Sequence, residues 1–278
     1  MYEIVPHATE QNPYFKNVKS AYILTLTTAQ GRRRMQSEKR DRLTQLCHTT
    51  HVQYNTPFNA KGNTKPSYVD TTAKDLTHAY KHLAAHILKT TKDKHVLILE
   101  DDAEIFEENR SCFTTVDQFL TTYPYDIYSL GSFGNTYPFG AKHRMYGSAF
   151  GFSQAIIWHR KALQQLIRSN VSNHIDVHFL MKLPLKYTFK KPLVVQLFED
   201  TENTKTWCFM CNGGRVESGL VKMWQYFLQD VLSLRTNPYH WKTLYLMNYY
   251  GTTTLYHMSW LFVILVVYRA NKMCYTQK

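Results

Sequence analysis

The sequence lacks a disulfide framework: its five cysteines among 278 residues are odd in number and irregularly spaced, so cross-linking does not define the fold. It also lacks internal repeats and low-complexity tracts. With 44% hydrophobic and 14% aromatic residues, disorder and collagen-like repetition are excluded, and the chain can bury the core of one large domain or two small ones. Acids are the scarce charge, 21 Asp and Glu against 33 Lys and Arg, which leaves a net charge of +12. Such a surface favours phosphate-bearing partners, whether nucleic acid, anionic lipid or a nucleotide-linked substrate. Residues 1–19 contain Pro6 and Pro13 and no uninterrupted apolar core. They read as an irregular lead-in, and no cleaved secretory signal is expected.

From residue 20 onward the chain alternates between strands and helices. Residues 20–27, Ser-Ala-Tyr-Ile-Leu-Thr-Leu-Thr, carry the composition of a strand buried on both faces. Gly31 turns the chain into a basic helix predicted over 32–46. A loop-heavy connection with a short strand at 51–54 precedes a helix predicted over 72–89, where Leu76, Ala79, Tyr80, Leu83, Ile87 and Leu88 recur at three- and four-residue steps. Residues 94–99 form a second buried strand. Short strands are predicted at 125–130, 148–152 and 193–197, a glycine- and aromatic-rich loop at 131–140, and a helix at 161–169. This order implies an α/β sheet flanked by helices, with ligands bound outside the carboxyl ends of the strands.

The second buried strand runs into Glu100-Asp101-Asp102. Three successive acids leaving a dry strand repel one another, and a divalent cation would relieve that repulsion. Alternation along a strand points Glu100 and Asp102 to one place and Asp101 to another. Oxygen-only ligands suit Mn²⁺ or Mg²⁺, which completes its shell with substrate phosphates and water. Acids capping the next turn are the alternative. At the end of the first strand, Gly31-Arg-Arg-Arg34 supplies planar guanidinium donors where a phosphate would sit, although a solvated helix face would look the same.

Taken in order, the motifs Tyr22-Ile-Leu-Thr-Leu, Arg32-Arg33-Arg34, Leu76-Thr-His78 and Leu97-Ile-Leu-Glu-Asp-Asp-Ala103 resemble glycosyltransferase family 25. That family includes the lipopolysaccharide-type and procollagen galactosyltransferases. Three further segments are similar to it: Tyr146-Gly-Ser-Ala-Phe-Gly-Phe-Ser153, His174-Ile-Asp-Val-His-Phe-Leu180 and Pro192-Leu-Val-Val-Gln196. The resemblance covers roughly residues 20–206. It implies a GT-A-like, Rossmann-like mixed sheet flanked by helices, a UDP-sugar donor, Mn²⁺ or Mg²⁺, and inverting transfer of a hexose, galactose or glucose, to a hydroxyl. The acceptor would be a glycan, a lipid-linked glycan or a protein. Carried over by position, Glu100 and Asp102 are the metal ligands. Thr25, Leu26, Arg33, Arg34, His78 and Asp101 serve the donor side, and Asp176 is the catalytic carboxylate that takes the acceptor's proton. His174 and His178 are further polar contacts or structural residues. Before His78 the chain departs from the family pattern, with Ala73-Lys-Asp-Leu-Thr.

Residues 207–278 fall outside that resemblance and read as a helical, membrane-associated extension, its membrane face undefined. An uncharged run from 243 to 268 ends in Trp260-Leu-Phe-Val-Ile-Leu-Val-Val-Tyr268. Its dense part, 255–268, is shorter than the roughly 20 residues of a membrane span, while the whole run is long enough. Tyrosines and Trp260 are of the type that settles at headgroup level, and 222–234 looks amphipathic. The alternative is a helix buried on the domain. Cys208 and Cys211 have Cys-x-x-Cys spacing, but no helix-opening strand turn precedes them and no second ligand pair accompanies them. Asn109-Arg-Ser and Asn170-Val-Ser match the glycosylation acceptor pattern. Two rival functions stay open: a metal-dependent nucleic-acid enzyme, and an inactive transferase-fold membrane scaffold. The chain carries no recognisable nucleic-acid module, so no nucleic acid is expected as a partner.

Overall fold

A computed structural model of the chain describes residues 2–28, 35, 38–62, 64–151, 153–196, 226, 231, 233 and 238–276. The basic cluster 31–34, the Cys208/Cys211 pair and almost all of the amphipathic stretch 222–234 lie outside the described residues. The fold is a mixed α/β arrangement in which a nine-stranded sheet is flanked by helices. Its centre is made of β2 (Ser20–Leu26) and β4 (His95–Glu100), parallel to each other and to β3 (Thr49–Asn55). β9 (Ala155–His159) then inserts antiparallel between β4 and β6 (Ile127–Ser129). β10 (Lys186–Phe189), β8 (His143–Gly151) and β7 (Phe133–Phe139) continue the sheet to one edge. A two-stranded ladder of β5 (Ala103–Ile105) and β11 (Val194–Gln196) lies beside the acidic end of β4. This architecture is consistent with the GT-A-like expectation.

The period of two along the central strands explains the layers. Tyr22, Leu24, Val96 and Ile98 face one side. There they pack with α2 (Thr72–Thr90), α4 (Arg160–Arg168) and the one-turn α5 (Ile175–His178). Ala21, Ile23, Leu97 and Leu99 face the other side, with α1 (Glu38–Thr44) and α3 (Phe113–Thr122). Full burial of one such aliphatic side chain contributes about 1.5–3 kcal/mol, which fixes the register because a slip of one residue would exchange the faces. The start of α2 is set by Thr71, whose side chain accepts the amide of Lys74.

Two sequence expectations are corrected and one strand is new. The lead-in is not irregular: Tyr2–Thr9 forms β1, an edge strand antiparallel to β3. Its proline is tolerated because an edge strand has a free side, and the register shifts between Pro6 and Ala8. The expected loop 131–140 is largely strand β7, in which an aromatic-rich segment pairs with β8 despite Gly134 within it, the register shifting between Gly134 and Thr136. Strand β9, with Ile156, Ile157 and Trp158 all buried, has no counterpart among the sequence expectations, because a four-residue apolar run ahead of a helix reads equally well as that helix's beginning.

Beyond the sheet, α6 (Pro238–Thr276) is a single helix of 39 residues. Its segment Lys242–Ala270 is long and apolar enough to cross a membrane by length and composition, and none of its most apolar window is buried in the protein. The first turns are docked on the domain, with Tyr245 and Tyr249 fully buried, so the helix is neither wholly packed nor wholly detached.

One glycine has a structural reason that can be tested. A Cβ on Gly131 would stand 1.8 Å from the carbonyl oxygen of Val194, so only glycine lets β11 cross the end of β6. Gly131→Ala should cost about 1–3 kcal/mol of stability, as overpacking does. Thermal unfolding of purified protein checks this, and an unchanged melting temperature would show that β11 does not sit against Gly131.

Candidate active site

The acidic segment lies where the strand order reverses. β2 has β3 on one side and β4 on the other, and in open α/β sheets the crevice at such a point, outside the carboxyl ends of the strands, receives ligands. Glu100 is the last residue of β4. Its amide is held by the Gln154 carbonyl at 2.8 Å, so the antiparallel strand β9 fixes the point from which the carboxylate leaves.

Each acid of the triplet has a different set of partners. Glu100 Oε1 accepts the Ser153 hydroxyl at 2.8 Å and the Tyr80 hydroxyl at 3.1 Å. Asp101 accepts the Thr25 hydroxyl at 2.7 Å, joining the ends of β2 and β4. Asp102 Oδ2 accepts the Gln196 side-chain amide at 2.8 Å, which ties the turn to β11. Glu100 and Asp102 also act on each other. Burial, then Asp102, then Asp176 push the Glu100 carboxyl up from its ordinary 4.5 to about 8, against the opposing pull of the Ser153 and Tyr80 hydroxyls. Part of the Glu100 residue remains accessible, but the group lies in a dense shell whose largest effect is loss of hydration.

Asp176 joins this corner from another element. It lies in the first turn of α5, where buried Ile175 packs under α2 and Thr77 donates to the Asn173 carbonyl at 2.9 Å. It acts electrostatically on both Glu100 and Tyr80. Residues 76 apart in sequence are thereby within electrostatic reach.

The other sequence candidates are distributed unevenly. Thr25 and Asp101 meet, and Leu26 closes β2 beside them. His78 turns toward the β1 edge: Tyr2 shares a hydrogen bond of 2.5 Å with its Nδ1 and stacks on its ring, while Tyr68 meets it edge-on. Burial and nearby Lys65 lower its pKa. His174 is also held below its ordinary pKa, by burial and His178. Arg33 and Arg34 lie outside the described residues. Of the two acceptor-pattern asparagines, Asn109 is buried and donates to the Pro192 carbonyl at 2.8 Å, so it is a structural residue of the folded chain.

Four contributors escaped sequence reasoning. Tyr80 looked like one member of an apolar stripe, and Ser153 and Gln196 ended motifs without a stated role. Tyr245 of α6 takes the Gln196 backbone amide on its hydroxyl at 3.2 Å. No local sequence signal connects a tyrosine of a distant apolar helix to an acidic turn.

The donor set is oxygen-only and its mutual repulsion favours a hard cation. Among the described residues, no group of three or more His, Cys, Asp or Glu side chains forms a ready cage for a metal. Glu100 and Asp102 offer the hard oxygen donors that suit a cation completed by phosphate and water.

No family model matches the chain, and no curated protein matches it in sequence. Among solved structures, it is similar to a glycosyltransferase involved in the glycosylation of the major capsid of PBCV-1, with 12% identity over 53% of this chain and 63% of that one at a TM-score of 0.31. It is also similar to the apo-form of UDP-glucose pyrophosphorylase, with 11% identity over 62% and 73% of the two chains at 0.33. A third is HddC from Yersinia pseudotuberculosis, with 11% identity over 65% and 73% at 0.35. The chain spans about 63% of the length of the first of these. Likenesses this distant carry no functional argument.

The raised Glu100 carboxyl has a thermodynamic sign. An acid whose folded pKa lies above its unfolded value binds its proton more tightly when folded, so its contribution to stability is lost as pH climbs from about 4.5 to about 8. Relative to metal-free Glu100→Gln, metal-free wild type should therefore lose melting temperature as pH rises through that window. Equal slopes for the two proteins would remove the carboxyl from this environment.

Proposed function

We propose that the chain is a nucleotide-sugar-dependent glycosyltransferase that moves a hexose, galactose or glucose, from a UDP-sugar to a hydroxyl with inversion, using Mn²⁺ or Mg²⁺. The single observation that supports this is the placing of Glu100 and Asp102 at the carboxyl end of β4, beside the strand-order reversal, with Asp176 of α5 within electrostatic reach of Glu100. The order of motifs that resemble family 25 points the same way. The unit doing this work is residues 20–206 together with the edge strand β1, with 207–278 as an extension.

In this reading Glu100 and Asp102 hold the cation, and the Gln196 and Ser153 contacts fix their rotamers. When bound, the ion supplies Lewis-acid stabilisation of the leaving diphosphate. Thr25 locks Asp101 and shapes the donor floor beside Leu26. Arg33 and Arg34, which the motif resemblance assigns to the donor phosphates, lie outside the described residues. The motif resemblance assigns His78 to the donor side, but its ring is engaged by Tyr2 at the β1 edge, so no donor contact is proposed for it. Asp176 enters from the separate element α5, where a carboxylate can take the proton of the attacking hydroxyl as its oxygen bonds to the anomeric carbon. The bond from that carbon to the diphosphate breaks with its electron pair leaving on the diphosphate.

The reading is tested with full-length protein, a panel of UDP-sugars and Mn²⁺. Metal-dependent hydrolysis of at least one donor should fall by two orders of magnitude or more in Asp102→Ala, with the circular dichroism spectrum unchanged. Undiminished hydrolysis in that variant would remove the metal assignment.

A further inference from the structure

We infer that the acceptor is carried on a membrane lipid, and that α6 holds the acidic corner in the headgroup layer to meet it; this rests on the transferase reading above. The helix has two parts with different surroundings. From Tyr245 to Tyr256 it is docked. Tyr245 receives the Gln196 amide, and the Tyr249 hydroxyl lies 2.8 Å from the Thr188 hydroxyl and 3.2 Å from that of Tyr146. The Arg144 guanidinium donates to the Tyr249 carbonyl, Thr252 meets Thr136 at 3.0 Å, and Tyr256 packs on Tyr137. Upstream, Lys242 pairs with Glu108 at 4.0 Å.

Beyond Tyr256 the surroundings end. Every residue from Trp260 to Tyr268 is exposed, Phe262 at 68% and Ile264 at 60%. Nine consecutive apolar residues at 100° steps cover every side of the helix, whereas a partner's groove would take a single stripe. A helix apolar on every side is either a protein-core helix or a membrane span; none of this one's most apolar window is buried in the protein, which leaves the bilayer, and the +12 net charge favours an anionic one.

Length then places the active site. A hydrocarbon core of about 30 Å takes about 20 residues at 1.5 Å each. Counting back about 20 residues from Arg269, the first charge after the run, puts the near boundary at about Tyr249, inside the docked stretch. Snorkelling of Arg269 would move that boundary by about a turn and leave it still between Tyr249 and Tyr256. Tyr245 lies one turn before Tyr249, and its hydroxyl touches Gln196, whose amide holds Asp102. The acidic corner is therefore at headgroup level, where a lipid-borne hydroxyl is delivered and a water-borne acceptor gains nothing. Its oxygen would bond to the anomeric carbon while the diphosphate departs and Asp176 takes the proton.

The experiment uses full-length chain reconstituted into vesicles of phosphatidylcholine and phosphatidylglycerol, with Mn²⁺ and labelled UDP-galactose or UDP-glucose. Flotation measures membrane binding, donor hydrolysis is followed separately, and transfer is compared between hexadecyl β-glucoside in the bilayer and methyl β-glucoside in water. The expected result is co-flotation and at least tenfold greater transfer to the hexadecyl glycoside. Failure to float, equal use of the two glycosides, or donor hydrolysis with transfer to neither would overturn the inference while leaving the transferase reading in place. Absence of any donor turnover would strike that reading, and this inference with it.

Discussion

Carboxylates gathered at the dry end of a buried strand repel each other, and much else in the site is arranged around that repulsion. Glu100 is forced toward its protonated form by burial and by Asp102 and Asp176. The hydroxyls of Tyr80 and Ser153 pull the other way without cancelling it. Removing either neighbour would relax the corner, while Ser153 and Gln154 just ahead of β9 and Gln196 of β11 hold it by hydrogen bonds. An arrangement that holds like charges together against their own field favours a ligand carrying the opposite charge.

The fold explains how such distant residues meet. Strand order reverses at β2, which opens a crevice at the ends of β2 and β4. The antiparallel β9 then brings Ser153 to that same end, because its chain direction places its first residues where the parallel strands finish. Gly131 permits β11 to cross the neighbouring strand end, and β11 carries Gln196 to Asp102. From there the Tyr245 hydroxyl links the site to α6, so a helix outside the sheet contributes to the position of an acid within it.

Much of this was legible in the sequence where the physics is local. The central strands are continuous apolar runs because both faces are covered, and α2 announces itself by its apolar stripe. The acidic triplet stood out because ionised side chains rarely follow a buried strand without a use. Where pairing partners decide, the sequence was silent: Pro6 concealed an edge strand, and the aromatic segment of β7 looked like a loop. Tyr80, Ser153, Gln196 and Tyr245 serve the site through contacts separated by 20 to 94 residues, which no periodicity encodes. His78 shows the converse, since a residue singled out by motif is engaged by Tyr2 at the sheet edge.

The most direct test of the central claim is electron paramagnetic resonance of Mn²⁺ titrated with full-length protein, with and without UDP. If Glu100 and Asp102 hold a cation shared with a diphosphate, the free-ion signal will fall as protein is added, fall at lower protein concentration when UDP is present, and persist with Asp102→Asn. A free-ion signal that wild-type protein leaves undiminished, with UDP in the sample, would contradict the account.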